Sequence, residues 1–250
     1  MKQISRMFAP ASVVLVAMLS IAGCKGDGSV STNGIFGEMP AVAEDFGNQG
    51  VALLESAKTL NTLDEIKEFA HKAKALDSTA NAAIDAALRK LEGLELPTVI
   101  DETCPVKITK PFMIDMEQSK EQKVVFVGEV ENTEDINKGE KSKDPRYLEA
   151  ALLDKDDNAI CTSYRTKYDT SASNDEKYNK GVKGNITITV EIDIWNAKLM
   201  AQVKKAKLTY VHSDAYKALT DTCRKMKKQF YTDMQAKERE AKEALLNKIK

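Results

Sequence analysis

The sequence predicts an α+β protein in which an antiparallel β-sandwich is inserted between a helical hairpin and a long C-terminal helix. Between residues 39 and 97 and again from residue 213, apolar residues recur every three or four positions, the spacing of one helix face. Between residues 104 and 211 the period changes to two, the spacing of a strand with one buried face. Turn signals separate these short strands without intervening helical patterns, which favours an antiparallel sandwich over an alternating α/β sheet.

Residues 1–23 are organised like a bacterial signal peptide. Lys2 and Arg6 precede an apolar run from Met7 to Ala22, which is shorter than the roughly 20 residues that a membrane-spanning helix needs. An uncleaved membrane anchor is the alternative interpretation. In both interpretations the chain is attached to a membrane.

The run ends in Ile21-Ala22-Gly23-Cys24, which resembles the lipobox of bacterial lipoproteins. The resemblance implies cleavage before Cys24 and transfer of a diacylglyceryl group to its thiol. The first expected partner is therefore the membrane, bound through the lipid on Cys24, because several acyl chains anchor a protein almost permanently. Position 25 is Lys rather than Asp, which by the same resemblance favours the outer over the inner membrane of the cell envelope.

Residues 24–38 are mostly small and polar and are predicted to form a flexible tether. The whole chain has 37 basic and 38 acidic residues, so no overall field attracts it to nucleic acid. We therefore expect no nucleic-acid partner.

Residues 39–97 are predicted to form the helical hairpin. Thr62 and Glu65 have the spacing of a capping box and mark the start of the second helix. An alanine-rich apolar face continues from there to Leu91, Gly93 is suited to a left-handed cap, and Pro97 prevents the helix from resuming.

Residues 104–211 are predicted to form the β-sandwich, in which Asn185–Ile194 has the strictest alternation and Asp154–Asn158 forms the tightest turn. The other expected strands are Val106–Ile108, Phe112–Met116, Lys123–Val130, Tyr147–Asp154, Ala159–Tyr168 and Lys205–Val211.

Two segments of this region, Phe126–Thr133 and Ala150–Ile160, resemble the FxLYD-type immunoglobulin-like modules of bacterial envelope proteins. The resemblance implies an immunoglobulin-like sandwich that binds or spaces other envelope molecules. Such modules share no catalytic residues.

Residues 213–250 are predicted to form the C-terminal helix, capped by Ser213 and Asp214. An isolated helix with such an apolar face would be unstable in water, so we expect it to pack on the hairpin as a bundle or stalk. Self-association through this face is the alternative, and the oligomeric state stays open.

Three cysteines remain once Cys24 is lipidated, and the envelope is an oxidising compartment. We expect a disulfide between Cys104 and Cys223, because the first opens the sandwich segment and the second lies in the helix that leaves it. Cys161 would then be a buried free thiol.

Four cations, Arg224, Lys225, Lys227 and Lys228, lie within one and a half turns of the C-terminal helix. They are candidates for contact with anionic headgroups at a membrane surface. A solvated helix face is the alternative.

Signatures of common hydrolases and phosphate sites are missing from the sequence. His71 and His212 have no partners at metal-ligand spacing, and the Asp154 turn lacks the glycine and the glutamate of a calcium loop. We therefore expect no metal, no cofactor and no catalytic residues. The predicted function is that of a non-enzymatic, membrane-anchored envelope lipoprotein with a structural or partner-binding role. The alternative is a ligand-binding lipoprotein with an apolar pocket between helices and sheet.

Overall fold

The fold is a mixed α+β arrangement with a long C-terminal helix, seen in a computed structural model that describes residues 34–136, 146–173, 176 and 178–249. The signal peptide and lipobox (1–23) and the tether as far as residue 33 lie outside these described residues. The helices are α1 (Met39–Ala57), α2 (Leu63–Arg89), α3 (Ala197–Met200) and α4 (Ser213–Ile249).

The strands of the described chain form two sheets. They are β1 (Glu95–Leu96), β2 (Thr98–Ile100), β3 (Val106–Ile114), β4 (Lys123–Asn132), β5 (Arg146–Leu153), β6 (Ala159–Thr162), β7 (Arg165–Asp169), β8 (Lys183–Glu191) and β9 (Lys205–His212). One sheet has the order β1-β3-β4-β8-β7 and the other β2-β9-β5-β6. Neighbouring strands are antiparallel except for β2 and β9, which are parallel. The predicted α+β class and the long C-terminal helix are confirmed.

One hydrophobic core contains side chains from both sheets. Phe126 and Ile188 of the first sheet and Leu152 and Leu208 of the second are all fully buried in it. Strand alternation explains this burial, because every second residue of β4 and β8 faces the same side. Leu88 of α2 joins the same core and so ties the helices to the sheets.

A second buried cluster joins α1, α2 and α4. It contains Leu54 of α1, Phe69 of α2, and Phe230 and Met234 of α4. The three helices therefore bury apolar side chains against one another. This packing stabilises α4, which would be unstable in water as an isolated helix.

The predicted tether is wrong at its C-terminal end. Phe36 is fully buried in the core, 6.3 Å from Phe126 between ring centroids. The backbone of Ile35 also donates a hydrogen bond to Val203. A Cβ atom on Gly34 would lie 2.4 Å from the carbonyl oxygen of Ala201, so only glycine fits this approach. The folded region therefore begins by residue 34, before the predicted boundary at 39.

Three of the predicted strands also have wrong boundaries. The expected strands Val106–Ile108 and Phe112–Met116 form the single irregular strand β3, in which register shifts accommodate the intervening residues. The expected strand Ala159–Tyr168 is divided into β6 and β7, which belong to different sheets. The chain crosses between sheets where Ser163 donates to Ala150 of β5 and Tyr164 donates to Thr189 of β8.

The predicted capping box is present at the start of α2. The Glu65 backbone amide donates to Thr62 Oγ1 at 3.2 Å, and the Thr62 amide donates to Glu65 Oε2 at 2.8 Å. We expect Thr62→Ala to lower the free energy of unfolding by about 1 kcal/mol, because it leaves a helix-end amide without its acceptor. Urea denaturation would measure this change.

Thr79→Ala is the matched control, because Thr79 is an exposed threonine inside the same helix. Alanine has the higher helix propensity, so this variant should be neutral or slightly stabilised. Equal losses at Thr62 and Thr79 would contradict a capping role for Thr62.

Candidate functional site

A cleft of about 190 Å³ lies between α4 and the sheets. Three segments form its walls: the end of β6 with the crossing to β7, the stretch from the end of β8 through α3, and one face of α4. The residues that line it are Cys161, Thr162, Ser163, Tyr164, Glu191, Trp195, Asn196, Met200, Tyr216, Thr220, Cys223, Arg224 and Lys227.

The α4 wall follows from helix geometry. Residues 216, 220, 223 and 227 are separated by three or four positions and therefore share one helix face. Phe230 and Met234 continue the same face three and seven residues after Lys227, where the helix packs against α1 and α2. One face of α4 therefore closes the cleft near the start of the helix and packs on α1 and α2 further along.

A disulfide joins α4 to the cleft wall, and it differs from the predicted pair. Cys223 is bonded to Cys161, with Cα atoms 5.9 Å apart, so the predicted pairing of Cys104 with Cys223 is wrong. β6 lies at the edge of its sheet and contacts α4, which brings Cys161 to the helix. Cys104 is the buried free thiol instead, and burial raises its pKa to about 12.

Lys227 places its ammonium group among three aromatic rings. Its Nζ atom lies 5.2 Å from the ring centroid of Tyr164, 5.6 Å from that of Trp195 and 5.9 Å from that of Tyr231. These distances are within the range of about 6 Å for cation–π attraction. Nζ also forms an ion pair with Glu191 at 2.5 Å. We call Tyr164, Trp195, Tyr231 and Glu191 the ammonium cage.

The loop after β8 is held by side-chain hydrogen bonds to its own backbone. Asn196 accepts from the Asp193 amide at 2.8 Å and donates to the Glu191 carbonyl at 2.8 Å. Asp193 in turn accepts from the Ile194 amide at 2.7 Å. These bonds fix Glu191 and Trp195 at opposite ends of one short turn.

Asp193 lies beneath this loop and is only 1% exposed. Burial raises the pKa of its carboxyl to about 6, although hydrogen bonds from Tyr231 and from the Ile194 amide act in the opposite direction. The Tyr231 hydroxyl donates to Asp193 Oδ2. Its own pKa is raised by burial and by the nearby Asp193 charge. Tyr231 therefore connects α4 to the loop.

The raised pKa of Asp193 predicts a pH-dependent stability. Since the folded-state pKa lies above the unfolded value of about 3.9, the folded protein binds the proton more tightly. The contribution of Asp193 to the free energy of unfolding is therefore largest below pH 4. It declines as the pH rises from 4 to 6 and stays constant above that range. The decline amounts to roughly 3 kcal/mol, because one pKa unit corresponds to about 1.4 kcal/mol.

Asp193→Asn removes the titrating group and keeps the side-chain shape. Urea denaturation of both proteins between pH 4 and 7 should show the wild type losing free energy of unfolding relative to the variant. If the free energy of unfolding changed with pH in the same way for both proteins, the raised pKa of Asp193 would be contradicted.

A second buried carboxyl group, Glu149, lies behind the Ser163 wall. Its Oε1 atom accepts from Ser163 Oγ at 2.6 Å and from Thr166 Oγ1 at 3.0 Å. Burial raises the pKa of Glu149, and these two hydrogen bonds partly offset the rise. The network connects β5 of one sheet to β7 of the other at the point where the chain crosses between them.

The indole nitrogen of Trp195 is a buried donor with no acceptor within the described chain. An unsatisfied buried donor costs about 1–3 kcal/mol. The contacts of its ring with Lys227 and with the two hydrophobic clusters hold Trp195 in place without a hydrogen bond from its indole nitrogen.

The structure separates the four predicted surface cations. The ammonium group of Lys227 lies in the ammonium cage, and Arg224 lines the cleft. Lys225 forms an ion pair with Asp221 at 2.5 Å, and Lys228 is exposed. Contact of these residues with an anionic surface stays a prediction.

The lipobox residues Ile21, Ala22, Gly23 and Cys24 lie outside the described residues, so their processing also stays a prediction. Within the part of the chain that the structure describes, no group of three His, Cys, Asp or Glu residues has the arrangement of a metal site. No helix in that part is long and apolar enough to cross a membrane.

Four residues of the site were not predicted from the sequence: Tyr164, Asp193, Tyr231 and Glu149. A signal for Tyr231 was present, because it continues the α4 cleft face four residues after Lys227. Asp193 lies on the polar face of the alternating segment together with Trp195. Its burial depends on packing against α4, which alternation alone does not reveal.

Comparison with known proteins gives no match to any family model, curated protein or solved structure. The fold and the site therefore define the class of protein. It is an α+β protein in which a long helix is cross-linked to a sheet edge and closes a cleft lined by aromatic and charged side chains.

Proposed function

We propose that this protein is a non-enzymatic, lipid-anchored protein of the bacterial cell envelope that binds a partner through the cleft beside α4. In this proposal Cys24 carries the lipid and the polar residues that follow it connect the anchor to the folded part. The partner reaches the cleft at the outer membrane, where the lack of Asp at position 25 favours sorting.

We further infer that the two sheets pack face to face as an immunoglobulin-like sandwich. The order β3-β4-β8-β7 corresponds to the ABED sheet of that fold, and β9-β5-β6 corresponds to strands F, C and C′ of the opposite sheet. The shared core supports this inference, because inner faces of both sheets contribute to it. Parallel β2 lies beside β9, at the edge where the fold usually has strand G.

By the same inference α1 and α2 form a helical hairpin, and α4 completes a three-helix bundle with it. The joint burial of Leu54, Phe69 and Phe230 supports this arrangement. The Lys58 and Glu240 ion pair at 3.1 Å also connects α1 to the distal part of α4. The bundle would then be the stalk that presents the sandwich and its cleft.

The single observation that carries the binding role is the ammonium cage beside the cleft. Aromatic rings and charged groups converge there on rigid elements, which is the usual composition of a recognition site. The carboxyl groups at the cleft are already engaged by structural partners: Glu191 by Lys227, Asp193 by Tyr231, and Glu149 by Ser163. Groups held in this way suit recognition better than proton transfer.

The alternative function, a ligand-binding lipoprotein, is favoured by the position of the cleft between a helix and the sheets. The expected pocket was apolar, whereas the cleft is lined by aromatic and charged side chains. The ligand in this alternative would therefore be polar or charged.

The proposal is tested by photo-crosslinking in intact bacteria. A benzophenone amino acid replaces Tyr164, which is 55% exposed at the cleft, or Met113, which is 39% exposed on β3 away from the cleft. We expect one defined adduct from position 164 and none from position 113. The adduct should disappear with Cys24→Ala, which prevents anchoring. Equal adducts from both positions, or an adduct that persists unchanged without the anchor, would contradict the proposal.

A further inference from the structure

The ammonium cage is built to hold a positive charge, and the occupant in this structure is the protein's own Lys227. The ammonium group of Lys227 lies over the rings of Tyr164, Trp195 and Tyr231, whose faces are electron-rich, and Glu191 supplies the opposite charge. Cation–π attraction is strongest where the cation has lost part of its water. The Glu191 side chain is only 14% exposed, so its carboxylate has lost much of its contact with water, while the Tyr164 side of the cage is open to solvent.

Lys227 is held at the boundary of the cage rather than enclosed by it. Its side chain is 33% exposed, and it lines the open cleft that adjoins the cage. A long, flexible lysine side chain at such a position has access to solvent by rotation about its own bonds. The cage would then face the cleft with Glu191 still in place.

Two further features bear on a cation that arrives from outside. The exposed ring of Tyr164 has a second ammonium group, that of Lys123, at 5.2 Å from its centroid, so one ring of the cage already accommodates two cations. The indole nitrogen of Trp195 is buried and makes no hydrogen bond within the described chain. An incoming ammonium group would therefore be held by the aromatic rings and by Glu191 rather than by a hydrogen bond from Trp195.

We propose that the cleft binds a small primary alkylammonium group, which displaces the Lys227 ammonium from the ammonium cage. This inference rests on the proposed binding function and names the chemistry that the cleft recognises. The group would belong to a free amine or to a lysine side chain of a partner protein. Lys227 acts as an internal competitor, so ligands bind only when they outcompete it.

The test uses the purified full-length protein in non-ionic detergent and the fluorescence of Trp195, the only tryptophan of the chain. The probes are n-butylammonium chloride, 1-butanol as its neutral counterpart, and sodium chloride at equal ionic strength. Lys227→Ala removes the competitor, and Lys228→Ala is the control because Lys228 is an exposed neighbour. We expect Lys227→Ala to bind n-butylammonium at least tenfold more tightly than the wild type and Lys228→Ala do.

Tyr164→Ala added to Lys227→Ala should weaken this binding again, because Tyr164 supplies one wall of the cage and is too exposed to be needed for folding. Binding of Nα-acetyl-lysine methylamide as tightly as n-butylammonium would assign the site to a partner's lysine. A clear preference for n-butylammonium would assign it to a free amine. The proposal is overturned if Lys227→Ala binds no more tightly than the wild type, or if 1-butanol produces the same change as n-butylammonium.

A measurement on the wild type covers the case in which Lys227→Ala does not fold. Reductive methylation with ¹³C-formaldehyde labels the lysines, and ring currents should shift the methyl signal of Lys227, assigned by its absence in Lys227→Arg. Addition of n-butylammonium should move this signal toward those of exposed lysines, and sodium chloride should not. A signal that n-butylammonium leaves in place would overturn the proposal. Crosslinking at Tyr164 and anchoring through Cys24 are measured separately, so a failure here is distinguishable from failure of the proposed function.

Discussion

Replacing Cys223 with alanine should lower the free energy of unfolding by about 4 kcal/mol. The Cys161–Cys223 bond closes a loop with a sequence separation of 62 residues, and loop-closure entropy for that length gives a value of this size. The bond also holds α4 against β6, so its loss leaves the Lys227–Glu191 ion pair and the Tyr231–Asp193 hydrogen bond to attach the helix to the cleft walls. Guanidinium denaturation under non-reducing conditions would measure the loss.

Cys104→Ala is the matched control for this prediction, because Cys104 is buried but is not bonded. Dithiothreitol should destabilise the wild type and Cys104→Ala, whereas Cys223→Ala should not respond. If Cys104→Ala were the variant that stops responding to dithiothreitol, Cys104 would be a member of the disulfide and the cleft geometry would be wrong.

Phe126→Ala should lower the free energy of unfolding by about 3–5 kcal/mol, the usual cost of truncating a buried phenylalanine. Phe126 is fully buried in the centre of β4, and its ring packs near that of Phe36. The substitution therefore removes contacts in the core that both sheets share. Thermal and urea denaturation would measure the change.

Val127→Ala provides the comparison for Phe126→Ala on the same strand. Val127 is only partly buried, because alternation turns it to the opposite face of β4. Val127→Ala should therefore lower the free energy of unfolding by clearly less than Phe126→Ala does. Equal losses at the two positions would show that the core does not lie on the Phe126 side of the sheet.

The elements that depend on local chemistry were predictable from the sequence. Thr62 and Glu65 form the expected capping box at the start of α2, and Gly93 adopts a φ of +78° after its end. The alternating residues 185–191 lie in β8, with Ile186, Ile188 and Val190 buried, whereas residues 192–194 of the predicted strand lie beyond its end. Each of these features is determined by residues a few positions apart, which is the range over which sequence patterns are informative.

The features that depend on contacts distant in sequence were not predictable. The split of Ala159–Tyr168 into two strands depends on hydrogen bonds from Ser163 and Tyr164 to β5 and β8. Both halves of this segment have a residue composition that is compatible with a strand, so the sequence does not show where one strand ends and the next begins. The short helix α3 and the two-residue strand β1 were missed for the same reason, because they are stabilised by tertiary packing rather than by propensity.

The candidate site was predictable only in part. The sequence directed attention to Arg224, Lys227 and Cys223, and all three line the cleft. It gave Lys227 a role at an anionic surface, whereas the structure places its ammonium group beside Glu191. It paired Cys223 with Cys104, because the order of strands within a sheet was unknown and the position of β6 beside α4 could not be derived.

The most direct measurement of the central claim is the mass of the mature N-terminal peptide of the native protein isolated from membranes. If the protein is lipid-anchored as we propose, the peptide begins at Cys24 and carries a diacylglyceryl group on its thiol. A mature protein that begins at another residue, or that has an unmodified Cys24, would contradict the account of a lipid-anchored binding protein.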